Sequence, residues 1–226
     1  MIVNALLLSP LFPHWHKAVN QGHCHPRIIE ALKNQADILT LTSRAFYNDA
    51  LGEFEEYACK LFGFDKLLPM NTGKLKKISS KQSGHCFITL DVVVIWREKF
   101  WLLILGVEGG ETANKLARKW GYMVKGIPDN QARIIFCENN FWGRTLSAIS
   151  SSTDPSSYKG FGPYMPGYDI VPYNDLKALE EKLQDPNTCA FMVEPIQGEA
   201  GVVVPDHGYL KEVRRLCTKY QVLVIT

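Results

Sequence analysis

The chain has 226 residues, 46% of them hydrophobic and 21% charged, with a formal net charge of +2. Those values fit a soluble globular protein of one large domain or a domain and a half, and they exclude a disordered chain. The charges form no long blocks, so there is no electrostatic footprint for nucleic acid, and the basic run "KLKK" at residues 74–77 reads as a solvated loop.

The first residues, "MIVNALLLSPLFPHWHK", carry an apolar patch. They have no basic leader, no small-residue cleavage site and none of the arginines of a mitochondrial presequence, so no import signal is readable there. "HCH" at 23–25 gathers three potential ligands, but no further ligand can be nominated, so a polar turn before Pro26 is the reading and no metal is expected. Pro26 opens a predicted helix, "PRIIEALKNQADIL", and "LGEFEEYACKLFG" reads as a second. "KLLPMN" then reads as a strand running into "TG". The six cysteines show neither CxxC pairs nor the density of a secreted scaffold, which points to reduced thiols in the cytosol or an organelle matrix.

Residues 74–106 interrupt this pattern. A strand and the helix after it usually need only a few connecting residues, yet 33 separate Gly73 from Val107 (106 − 74 + 1). The apolar window at 86–106 contains Asp91, Arg97, Glu98 and Lys99, so it is no membrane span. Its β-branched and aromatic second half conflicts with a polar lid, and the segment reads as an insertion foreign to the fold. It is expected to pack poorly or to loop outside the sheet.

From Val107 onward helix and strand alternate. "VEGGETANKLARKWGYMV" puts Ala113, Leu116, Ala117 and Trp120 on one stripe, with Glu108 and Glu111 early and Lys115, Arg118 and Lys119 late, as the helix dipole favours. "RIIFC", "DIVPY", "CAFMVEP" and "VLVIT" read as strands. "NDLKALEEKL", with Asn174 as N-cap, and "GYLKEVRRLCTKY" read as helices. The alternation predicts an α/β fold with a mostly parallel sheet. Ligands of such sheets sit at the carboxyl ends of the strands, so "PMNTG", "CENNFWGRT" and "VEPIQGEAG" are expected to converge on one edge.

These segments, together with "AVNQGHCHPRIIEAL", "LTLTSRAFYN" and "NFWGRTLSAISSSTDPSSYKGFGPYMPG", resemble the class III aminotransferases, which use pyridoxal 5′-phosphate. The resemblance runs over nearly all of residues 18–225 outside the insertion. It implies part of a fold-type I large domain (18–73 and 107–226, after an unrelated segment 1–17), with the C-terminal small domain absent. It also implies transfer of the δ-amino group of ornithine to 2-oxoglutarate, a homo-oligomer or a pairing with a full-length relative, and the mitochondrial matrix, with the cytoplasm as the alternative. For the cofactor it implies Gly73 and Val107 at a phosphate turn, Phe141 against the pyridine ring, Trp142 lining the pocket and Glu194 nearby; for the substrate, Arg144 on a carboxylate and Glu199 as a gate.

Two further residues that the family uses, the Schiff-base lysine and the aspartate beside the pyridinium nitrogen, would follow "VLVIT" and match nothing here. No catalytic residue is therefore nominated, and His16 stands where the resemblance implies a substrate-contacting tyrosine. The resemblance thus leaves two readings: an ornithine-directed transaminase, or a non-catalytic relative acting as a dimer partner or an unstable product.

Overall fold

The computed structural model describes residues 23–40, 46–63, 65–69, 92–96, 100–104 and 106–226. The chain divides into two units, Met1–Phe54 with Lys74–Leu90, and Glu55–Gly73 with Asp91–Thr226. In the first, helix α1 (Pro26–Ala36) has its proline at the start, where the missing N–H costs nothing, and buries none of its residues. Helix α2 (Asp49–Phe62) begins in the same unit, its first turn tied by Asn48, whose Oδ1 accepts the Leu51 N–H at 2.8 Å.

The second unit is built on a seven-stranded sheet. Its strands are β1 (Lys66–Pro69), β2 (Val92–Trp96), β3 (Phe100–Ile104), β4 (Arg133–Cys137), β5 (Tyr168–Val171), β6 (Thr188–Met192) and β7 (Leu223–Ile225), in the order β1-β3-β2-β7-β6-β4-β5. The pairs β4·β5, β4·β6 and β6·β7 are parallel, as the alternating pattern predicts, and so is the unexpected pair β1·β3. Strand β2 alone runs the other way, antiparallel to β3 and to β7.

The expectation that 74–106 would lie outside the sheet is therefore corrected in its second half. Val92–Trp96 and Phe100–Ile104 pair as a hairpin between β1 and β7. The β-branched and aromatic composition that looked foreign to a lid is what a pleated, paired segment favours.

Both faces of the parallel strands are covered. Side chains alternate along a strand, so Ile134 and Phe136 of β4 face one core, with Ala190 and Ile225. Helix α3 (Gly106–Trp120) closes that core through Ala113 and Ala117. Ile135 and Cys137 face the other, with Phe191 and Val224, under helices α6 (Leu176–Leu183) and α7 (Tyr209–Lys219) through Leu179, Leu183, Val213 and Leu216. Strands buried on both sides read as continuous apolar runs, which is why "RIIFC" and "CAFMV" are legible as such.

Two local details differ from the sequence reading. Helix α3 ends at Trp120 and passes into a π-helical turn, Gly121–Lys125, where Gly121 packs so closely on Cys189 that an added Cβ would lie 3.0 Å from its Cβ. Asn174 is not the N-cap of α6. It sits at φ +68° with its Oδ1 accepting the Asp206 N–H at 3.1 Å, while Asp175 caps by accepting the Ala178 N–H at 2.9 Å. Both residue types can cap, and the left-handed backbone that asparagine tolerates decided between them.

Candidate functional site

Strands β4, β5 and β6 are parallel, so their carboxyl ends share one edge of the sheet. The loops leaving β4 and β6 meet there as expected. Glu194, just past β6, accepts the Phe141 N–H on Oε1 at 2.9 Å and the Gly198 N–H on Oε2 at 3.4 Å. Gln197, 2% exposed, donates from Nε2 to the Glu138 carbonyl at 2.7 Å. From the end of β5, Tyr173 donates its hydroxyl proton to the Glu194 carbonyl at 3.0 Å. Burial pushes the Tyr173 hydroxyl up to about 12, so it stays a donor at neutral pH.

Helix α3 starts at the same edge. β3 runs antiparallel to β2, which runs antiparallel to β7, so β3 ends on the side where β7 ends, and Gly106 opens the helix just after Ile104. Two glycines let the helix meet the β4 loop. An added Cβ on Gly143, whose φ is +140°, would lie 2.3 Å from Cγ2 of Val107. One on Gly110 would lie 2.5 Å from Cε3 of Trp142. Thr145 closes the junction by donating to the Glu111 carboxylate and capping the short helix α4 (Leu146–Ser150) through the Ala148 N–H, ahead of the single-turn helix α5 (Pro155–Tyr158).

Trp142 stacks on Phe136 with centroids 5.9 Å apart and planes within 7°. Its indole N–H donates to Ser151 Oγ at 2.8 Å. The exposed Arg144 holds its guanidinium carbon 5.7 Å from the centre of the Phe141 ring, within cation–π range. Glu199 is exposed on the loop after β6.

The structure thus gathers Val107, Phe141, Trp142, Arg144 and Glu194 around one edge and puts Glu199 on a loop of that edge. Gly73 and His16 lie outside the described residues, so the glycine seen opening α3 is Gly106. Sequence reasoning did not nominate Asn140, Ser151, Tyr173 or Gln197 here. Asn140 and Gln197 stand inside the quoted motifs, but nothing in a motif says that their amides tie one loop to the next.

These groups suit a flat aromatic ligand bearing a phosphate. The first turn of α3 has N–H groups with no partner inside the helix, and the dipole adds positive potential there. Phe141 offers an aromatic ring one loop away, held from behind by a carboxylate. Among the described residues, no group of three or more His, Cys, Asp or Glu is placed to hold a metal ion, and no helix is long and apolar enough to cross a membrane.

The family model for class-III aminotransferases matches residues 14–80 and 74–226, and the chain belongs to that family. It is 62% identical over 210 residues to the mitochondrial ornithine aminotransferase of Drosophila melanogaster, covering 93% of this chain and 41% of that protein. Against the mitochondrial ornithine aminotransferase of Rattus norvegicus it is 61% identical over 208 residues, covering 92% and 40%. The crystal structure of the ornithine aminotransferase from Toxoplasma gondii ME49 superposes with a TM-score of 0.74 at 44% identity, covering 93% of this chain and 42% of that one. The chain spans about two fifths of the length of the relatives it matches.

Proposed function

We propose that this chain forms the cofactor-holding part of an ornithine δ-aminotransferase, which moves the δ-amino group of ornithine to 2-oxoglutarate and yields glutamate semialdehyde and glutamate. The observation that carries the reading is the junction of α3 with the β4 loop. Glycines at 110 and 143 let a helix N-terminus, a stacking tryptophan and Phe141 share one edge, and the relatives that match over 93% and 92% of this chain are ornithine aminotransferases. Pyridoxal phosphate supplies an electron sink for the carbanion formed when the substrate loses a proton.

The chain's own residues bind and orient. The N–H groups of the first turn of α3, around Val107, hold the phosphate, since a helix start orients its donors outward. Phe141 covers the ring face, with its backbone fixed by Glu194. Arg144 is long, exposed and always charged, and its planar fork matches a substrate carboxylate in two parallel hydrogen bonds. Glu199, on the neighbouring loop, gates which amino group is accepted. Two of the relatives are designated mitochondrial, and we assign this chain to the matrix on that ground.

Titration of the chain with pyridoxal phosphate, read as quenching of tryptophan emission, is expected to saturate. Phe141→Ala should weaken binding by about tenfold, the equivalent of one lost aromatic contact of roughly 1.4 kcal/mol. Quenching that never saturates would remove the reading. The substrate is tested by replacing the matched segment of the Drosophila relative with residues 106–226. Retained ornithine transamination is expected, and a folded chimera that binds the cofactor but has lost ornithine turnover would refute it.

A further inference from the structure

We propose that Asn140 and Ser151 are positioning residues for the aromatic loop, fixing where Trp142 lies in its slot and, through the peptide bond they share, where Phe141 is presented. The inference rests on the cofactor reading above for its consequence, but its geometry stands alone. Trp142 lies against the parallel ring of Phe136 and so close to Gly110 that a Cβ added there would come within 2.5 Å of its Cε3. Walls of that kind fix the plane of a ring, because dispersion falls steeply with separation. They leave the ring free to slide and turn within the plane, since stacking is weakly directional there. A hydrogen bond is strongly directional, and the indole N–H has one, to Ser151 Oγ at 2.8 Å.

Ser151 is fully buried, and the Asn140 side chain holds it. The Asn140 amide donates to the Cys137 carbonyl at 2.7 Å, where β4 ends, and to the Ser151 carbonyl at 2.7 Å, where α4 ends. Its Oδ1 faces Ser151 Oγ at 3.1 Å, so the single serine proton is shared between it and the Ala148 carbonyl at 2.9 Å. That leaves a serine lone pair for the indole. One asparagine therefore ties a strand end to a helix end, and the serine between them passes that reference frame to Trp142. On the far side, Glu194 pins the Phe141 N–H at 2.9 Å, so the dipeptide is anchored at both ends by groups that touch neither ring face.

The first test needs no cofactor. In the full chain labelled at the tryptophan indole nitrogens, the Trp142 N–H resonance is assigned by its loss in Trp142→Phe, and its exchange with solvent is timed. Ser151→Ala should accelerate that exchange by about tenfold or more, the size of one lost hydrogen bond. Asn140→Ala should act in the same direction with a smaller effect. Exchange unchanged in Ser151→Ala overturns the proposal.

The second test is a cycle of variants on pyridoxal phosphate affinity. Ser151→Ala should weaken binding by about tenfold in the native background and by less than twofold in Trp142→Phe, because the donor it serves is already gone. Equal losses in both backgrounds would mean that Ser151 acts through general stability and not through the indole, which also overturns the proposal. If Ser151→Ala does not fold, Trp142→Phe keeps an aromatic ring in the slot and removes the donor along with the pyrrole part of the indole; it should lose at least the same tenfold, and undiminished affinity defeats the idea. A native chain with no saturable binding would sink the cofactor reading instead, and the exchange measurement would still decide whether Ser151 positions Trp142.

Discussion

The two ends of strand β4 are held by different chemistry. At its start, Arg133 makes a two-pronged ion pair with Asp169 of β5, both contacts at 2.6 Å, with Asp185 at 3.7 Å and Lys182 reaching Asp169 at 3.5 Å. Every charge there is matched by another. At its other end, among the described residues, no such cluster forms. Cys137 is buried, and the loop that follows is tied by neutral amide, hydroxyl and indole hydrogen bonds, with Glu194 spending its carboxylate on two backbone N–H groups. Arg144 is exposed, with its guanidinium beside the Phe141 ring. The amino end is fixed by paired charges, whereas the carboxyl end fixes its backbone with amide, hydroxyl and indole groups and one carboxylate and leaves the Arg144 guanidinium exposed. An end saturated with ion pairs would have little left to offer a ligand.

The largest effect is expected where the two ends share a core. Phe136 is fully buried between Trp142 and Tyr168. Phe136→Ala should cost about 3–5 kcal/mol in urea unfolding and should also loosen the Trp142 slot, seen as a shifted tryptophan emission maximum. A loss under 1 kcal/mol would show that the stack carries little of the fold.

Breaking the amino end comes next. Asp169→Asn removes the charge that faces Arg133 and should cost about 1.5–3 kcal/mol, the value of hydrogen bonds to a charged group. Burial acts to raise the Asp169 pKa, but the Arg133 hydrogen bonds and charge, with Lys182, outweigh it and hold the carboxyl below its ordinary value. A depressed carboxyl contributes stability that is complete above its unfolded pKa of about 3.9 and is lost as pH falls through the lower folded value. The native chain should therefore lose stability below about pH 4 with a steeper slope than Asp169→Asn. Equal slopes would assign the acid sensitivity elsewhere. Cofactor affinity should stay within about twofold, since 1.4 kcal/mol is needed for a decade, and a larger loss would erase the distinction between the two ends.

Gly143→Ala probes the carboxyl end with the smallest change in chemistry. Its Cβ would meet Val107 at 2.3 Å from a backbone at φ +140°, so helix and loop must part. The expected cost is about 1–3 kcal/mol from overpacking and strain, with a fall in pyridoxal phosphate affinity that Asp169→Asn does not show. Intact affinity in a folded Gly143→Ala variant would mean that the close approach of α3 is not what builds the site.

The residue order alone determined the alternation of apolar strands with amphipathic helices. The Ala113–Ala117 stripe, the two-faced run "RIIFC" and the acidic start and basic finish of α3 follow from periods of 2 and 3.6 and from the dipole, which are local properties. Resemblance to the class III aminotransferases pointed to the Phe141–Arg144 loop and to Glu194. Tertiary structure decided the rest. "VVVIW" and "FWLLI" looked misplaced along the chain, and only pairing with β1 and β7 gave their hydrogen bonds a destination. Asn174 was the expected cap of α6 until a left-handed backbone there passed the role to Asp175. The roles of Asn140 and Ser151 could not be read in advance, because an amide that joins residue 137 to residue 151 acquires its meaning from two chain segments brought within 3 Å. Periodicity records which face a residue shows; which partner meets that face is set by the whole chain folding at once.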